Sequence, residues 1–86
     1  MWIVYPMSCY FYILRSEELG KYYIGHTCDD LQNRIQKHLS DHKGFTSKAK
    51  DWELFYAEEY STKELAYARE REVKSWKSSK RIAQLV

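Results

Sequence analysis

Eighty-six residues, 44% of them hydrophobic and 30% charged, describe one small globular domain. That length excludes a barrel of about 250 residues or a dinucleotide-binding fold with a separate substrate domain. The net charge of +2 does not by itself announce a nucleic-acid partner.

No apolar run approaches the roughly 20 residues of a membrane span. The start of the chain, Met1 to Met7, lacks the basic region and cleavage site of a signal peptide. A cytoplasmic protein with no membrane partner is therefore expected, with Cys9 and Cys28 as reduced thiols. The charge falls in blocks. Residues 31–50 and 61–86 each carry a net of +4, whereas 1–30 and 51–60 are acidic. The two basic segments are either solvated helix faces or halves of one phosphate-binding surface.

Taken in chain order, Trp2 and Tyr5 stand ahead of the first element, as an edge cover or a frayed tail. Ser8 to Leu14, aromatic and branched, predicts a buried strand. Arg15 to Gly20 predicts a turn, and Lys21 to Thr27 a second strand paired antiparallel with the first. With the turn centred near Glu18, Tyr12 falls opposite Tyr23. Thr27 or Asp29 is the expected cap of a helix over Asp30 to Ser40, because Leu31, Ile35 and Leu39 recur at helical spacing. Asp41 to Asp51 is a polar connection holding Lys43, Lys48 and Lys50. Trp52 to Glu58 predicts a third strand. Ser61 or Thr62 then caps a helix from Lys63 to about Lys77, with Ser61 and Glu64 at capping-box spacing. A last short helix covers Lys80 to Leu85. The order β-β-α-β-α-(α) gives an α+β fold: a three-stranded antiparallel sheet flanked by two to three helices.

Several polar side chains interrupt this pattern. On the second helix Leu65, Ala66, Val73 and Trp76 mark the sheet-facing arc, and Glu70 lies at its rim. A carboxylate there needs a partner. It is either an ion pair with Lys74 or Lys77, or a ligand for a hard cation such as Mg²⁺. Arg34 and His38, four apart on the first helix, either face solvent or aim at one phosphate. Tyr10 and Tyr12 share a strand face, and Gly25 two residues beyond Tyr23 marks a close approach to the backbone. A zinc site of Cys9, Cys28, His38 and His42 is the weaker alternative, since cysteines 19 residues apart form no paired knuckle.

Tyr10-Phe11-Tyr12 and Tyr23-Ile24-Gly25, followed by His26, Thr27, Arg34, His38, Phe45-Thr46-Ser47 and the Glu70-bearing helix, resemble the GIY-YIG nucleases over about residues 9–86. The chain is most similar to small stand-alone bacterial proteins described as like the nuclease domain of the excision-repair nucleases. Tyr10 and Phe11 replace the glycine and aliphatic residue of the first signature tripeptide. His26 stands where excision nucleases often have lysine, and Leu39 where asparagine is frequent. The distal asparagine of larger members has no clear counterpart.

The resemblance implies a phosphodiester hydrolase tied to DNA repair. Its metal is a single Mg²⁺ (or Mn²⁺) on Glu70, and its site residues are Tyr12, Tyr23, Arg34, His38 and His26. Arg34 offers a planar fork for phosphoryl oxygens. One tyrosine serves as base or water-positioner, its pKa lowered by a nearby cation, and the other bonds the phosphate. His38 or His26 relays a proton or contacts a phosphate. The cationic set Lys43, Lys48, Lys50, Lys74, Lys77, Lys80 and Arg81 would hold DNA, branched or single-stranded, or RNA, without reading its sequence. Specificity then comes from nucleic-acid shape or a partner protein. The alternative is a nucleic-acid-binding module of the same fold that has lost catalysis.

Overall fold

Cys-Tyr-Phe-Tyr-Ile-Leu-Arg-Ser forms strand β1, Cys9–Ser16, in the computed structural model, which describes residues 8–40 and 42–86. Trp2 and Tyr5 lie outside the described residues. After β1 come β2 (Lys21–Thr27), α1 (Leu31–Leu39), a 3₁₀ turn over Phe45–Lys48, β3 (Glu53–Tyr60), α2 (Lys63–Trp76) and α3 (Ser79–Ala83). The sheet is antiparallel in the order β2-β1-β3. This is the expected α+β fold, with three helices. Strand β1 runs two residues past its expected end, and β3 is displaced by one to two. No helix among the described residues is long and apolar enough to cross a membrane.

Strand β1 is buried on both faces because it is central and both faces are covered. Tyr12 and Leu14 pack with Ile35, Ala49 and Trp52 on the α1 side. Phe11 and Ile13 pack with Val73 and Ile82 on the α2–α3 side. A one-residue register shift in β3, between the partners of Ile13 and Leu14, lets consecutive Phe55 and Tyr56 both pack on the α2 side. The buried Trp52 indole N–H donates to the Thr46 carbonyl at 2.9 Å, which pins the 3₁₀ turn beneath α1.

The hairpin register differs from expectation. Tyr12 pairs with Gly25, and Tyr23 pairs with Leu14. A four-residue turn, Glu17 to Gly20, sets this, and Asp51 holds it from the far side of the sequence. Its carboxylate accepts from Ser16 Oγ at 2.6 Å and from the Glu18 N–H at 2.9 Å. These bonds, the hydroxyl's above all, hold the Asp51 pKa below its ordinary value. Gly20, at φ +63°, closes the turn.

The same register brings Cys9 across from Cys28, and the two form a disulfide. The expectation of reduced thiols is overturned, and with it the zinc alternative, whose two sulfurs are consumed. The bridge closes 19 residues of hairpin and stabilises the fold by about 3 kcal/mol relative to the reduced chain.

Helix α1 is capped by Asp30, not Thr27 or Asp29. Its Oδ1 accepts from the Asn33 N–H at 3.1 Å. On α2 the cap is Thr62, which accepts from the Leu65 N–H, so Ser61 and Glu64 form no capping box. Leu65 is 51% exposed, whereas Ala66, Glu70 and Val73 make the buried seam. The helix is turned this way because ion pairs clamp it to both outer strands: Arg69 to Glu58 of β3, and Glu70 to His26 of β2.

Candidate active site

The expected site residues gather along strand β2, where α1 covers one face of the sheet and α2 the other. Tyr12 is 1% exposed. A Cβ on Gly25 would sit 2.7 Å from the Tyr12 Oη and 3.1 Å from the Tyr23 ring. The close approach signalled by this glycine is thus Tyr12 itself. The Tyr12 and Tyr23 ring centroids lie 6.3 Å apart, and His38 packs against both, at 5.9 and 4.6 Å.

Burial raises the Tyr12 pKa to about 12, with the facing Tyr23 and the Glu70 charge adding to it. Arg34 lowers it, as expected of a nearby cation, but burial outweighs that contribution. Tyr12 is therefore a phenol at neutral pH. Its hydroxyl is hydrogen-bonded to His38 Nε2 at 2.7 Å, and the ring's other nitrogen, Nδ1, is hydrogen-bonded to Thr46 Oγ1 at 3.2 Å, so both ring nitrogens are held.

Arg34 is half-buried rather than solvent-facing. Its Nε is fully buried and has no hydrogen-bond partner. It lines a hollow of about 240 Å³ with His26, Thr27, Cys28, Asp29 and Lys63. An orphaned guanidinium N–H is costly.

Glu70 is 8% exposed, deeper than the rim position expected. Its Oε1 accepts from His26 Nδ1 at 2.6 Å and its Oε2 from Lys74 Nζ at 2.8 Å. The i+4 pairing is thus present, whereas Lys77 lines a different hollow. Each partner opens onto a concavity: His26 onto the one shared with Arg34, and Lys74 onto one shared with Tyr23 and Phe45. Glu70 stands between the two. Among the described residues no three acidic, histidine or cysteine side chains cluster as a ready-made metal cage.

The expected phosphate-binding cations divide into groups. Lys48 lies 5.3 Å over the Phe45 ring, beside the Tyr23 hollow, and Lys21, not singled out from sequence, lies 5.9 Å from the same ring. Lys43 and Lys50 are exposed on the same connection. Lys74 and Lys77 share a further hollow of about 300 Å³ with Ser78 and Ile82. Arg81 stacks 4.2 Å over Trp76, and Lys80 is exposed on α3. Sequence reasoning also missed the His26–Glu70 pair and Lys63. No local spacing links positions 44 residues apart, and only the packing of α2 on β2 reveals them.

A GIY-YIG catalytic domain model matches residues 8–83. A UPF0213 protein of Bacillus pumilus (strain SAFR-032) is 38% identical over 74 residues, covering 84% of this chain and 72% of the relative. No solved structure matches significantly. The matched span contains both tyrosine-bearing strands, Arg34, His38 and Glu70, and the chain belongs to the GIY-YIG family, whose members are nucleases that act on nucleic acid, generally with divalent metals.

Proposed function

We propose that the protein is a structure-directed endonuclease that hydrolyses phosphodiester bonds in branched, flapped or single-stranded DNA, with one Mg²⁺ or Mn²⁺ on Glu70. The observation that carries this reading is Arg34, half-buried with its Nε unpartnered, in the lining of the same hollow as His26, the partner of Glu70. A phosphoryl oxygen in that hollow is the kind of acceptor a guanidinium fork suits.

The Glu70 carboxylate suits a hard divalent ion. It already holds a cation, the Lys74 ammonium, and one carboxylate with waters and phosphate oxygens is an ordinary Mg²⁺ environment. Such an ion supplies Lewis-acid charge to the phosphoryl group and the leaving oxygen. Arg34 orients the non-bridging oxygens through its fork. Tyr23, half-buried and bordering an open hollow, is the phenol that touches the attacking water or the phosphate. Tyr12, enclosed, is a positioning residue: its hydroxyl, hydrogen-bonded to Nε2, holds the tilt of the His38 ring. The lysines around Phe45 and on α2 hold the backbone electrostatically.

The purified protein with Mg²⁺ should nick branched, flapped or single-stranded DNA, with an RNA panel alongside, and Glu70→Ala should abolish nicking. Cleavage that survives in Glu70→Ala would place the activity elsewhere. Binding insensitive to EDTA, with no product on any substrate, would instead support a catalytically silent binding module.

A further inference from the structure

Helix α2 carries an exposed stripe that leads away from the candidate site's hollow. Lys63, Tyr67 and Arg71 stand four residues apart and so on one face. All three are exposed, Tyr67 at 46%. The Tyr67 ring packs 5.0 Å from the His26 ring, and Arg71 lies 5.8 Å over its centroid. Lys63 lines the hollow that contains Arg34 and His26.

Helix stability does not explain Lys63. It occupies the first position of α2, where the helix dipole disfavours a cation, and among the described residues no carboxylate is paired with it. The one acidic residue lining that hollow, Asp29, faces Lys37 at 3.5 Å, so the concavity stays net basic. At about 240 Å³ it is smaller than the roughly 300–1,000 Å³ of small-molecule pockets. It suits one group of a larger ligand rather than a whole metabolite.

We propose that the Lys63–Tyr67–Arg71 stripe is a track for single-stranded DNA leading into the site, with Lys63 on a backbone phosphate and Tyr67 stacking a base beside His26. Cations alternating with an exposed ring are what a sequence-tolerant single-strand surface needs: charge follows the phosphates and the ring takes any base. The track deepens the nuclease reading and rests on it for its direction.

The test uses the full chain with Glu70→Ala in EDTA, so that binding is read without cleavage, on a labelled single-stranded oligonucleotide. Adding Tyr67→Ala should weaken binding about 5- to 100-fold, and Tyr67→Phe should restore it. Lys63→Ala should lower the salt slope by about one. A strand abasic at the stacked position should bind the Tyr67→Ala and parent proteins equally. Unchanged affinity in Tyr67→Ala, or equal loss on normal and abasic strands, overturns the track. Absence of binding by the Glu70→Ala parent itself would instead overturn the nucleic-acid reading beneath it.

Discussion

Two carboxylates on the α2 side of the sheet sit in opposite circumstances. Glu58 of β3 is saturated: its oxygens accept from Tyr56 at 2.5 Å, Tyr60 at 2.7 Å and Arg69 at 3.0 and 3.3 Å. Arg69 also bonds Glu72 and lies over Phe11 and Trp76. Glu70, one position along α2 from Arg69, has one partner on each oxygen, each of them bordering a concavity, and Arg34 at the neighbouring hollow keeps an orphaned N–H. A polar cluster whose bonds are complete fastens elements together. One left incomplete beside a hollow holds capacity for a ligand.

The largest expected difference between the two regions is in activity. Arg34→Ala should lower kcat/KM by about 10²–10³-fold, the scale of one lost charge-stabilising donor. Its unfolding free energy should change by only about 1–2 kcal/mol, the scale of losing its interaction with the Tyr12 hydroxyl. Steady-state kinetics and denaturant titration on one preparation check both. A large stability loss with intact cleavage would make Arg34 a structural residue like Arg69.

Glu58→Gln should do the reverse. It should cost about 2 kcal/mol of stability through weakened charged hydrogen bonds, with single-strand affinity unchanged.

The finest discrimination comes from tyrosine titration. Tyr12 and Tyr60 both have pKa values raised to about 12, but for different reasons: burial for Tyr12, the bond to Glu58 for Tyr60. Folded values above the unfolded value of about 10 mean that both contributions are complete below about pH 10. They are lost as pH rises towards 12. Glu58→Gln should therefore return Tyr60 towards 10 and leave Tyr12 high, as read from phenolate absorbance. Glu58 itself behaves oppositely. Burial pushes it up, but bonds from Tyr56, Tyr60 and Arg69 more than offset this and hold it below 4.5. Its contribution is complete above that pH and is lost as the pH falls.

The side chains that gather in the candidate site could be singled out from the chain. Tyr12, Tyr23, Arg34, His38 and Glu70 were each marked by a polar group at a core-facing or helix-flank position, and the structure brings them to one region. The hairpin register could not be read. The turn that sets it is held by Asp51, 35 residues from Ser16, so local turn signals misplace the pairing by two residues. That shift alone decides that Gly25 faces Tyr12 and that Cys9 meets Cys28.

Local patterning settled the order of strands and helices, because apolar periodicity depends only on neighbours along the chain. It also settled which side chains break that pattern. Tertiary structure alone decided which way α2 is turned, which partners Glu70 takes, and that burial keeps Tyr12 protonated. Each depends on side chains from distant segments meeting in a low-dielectric interior, where a hydrogen bond or a desolvated charge outweighs helical or strand preference.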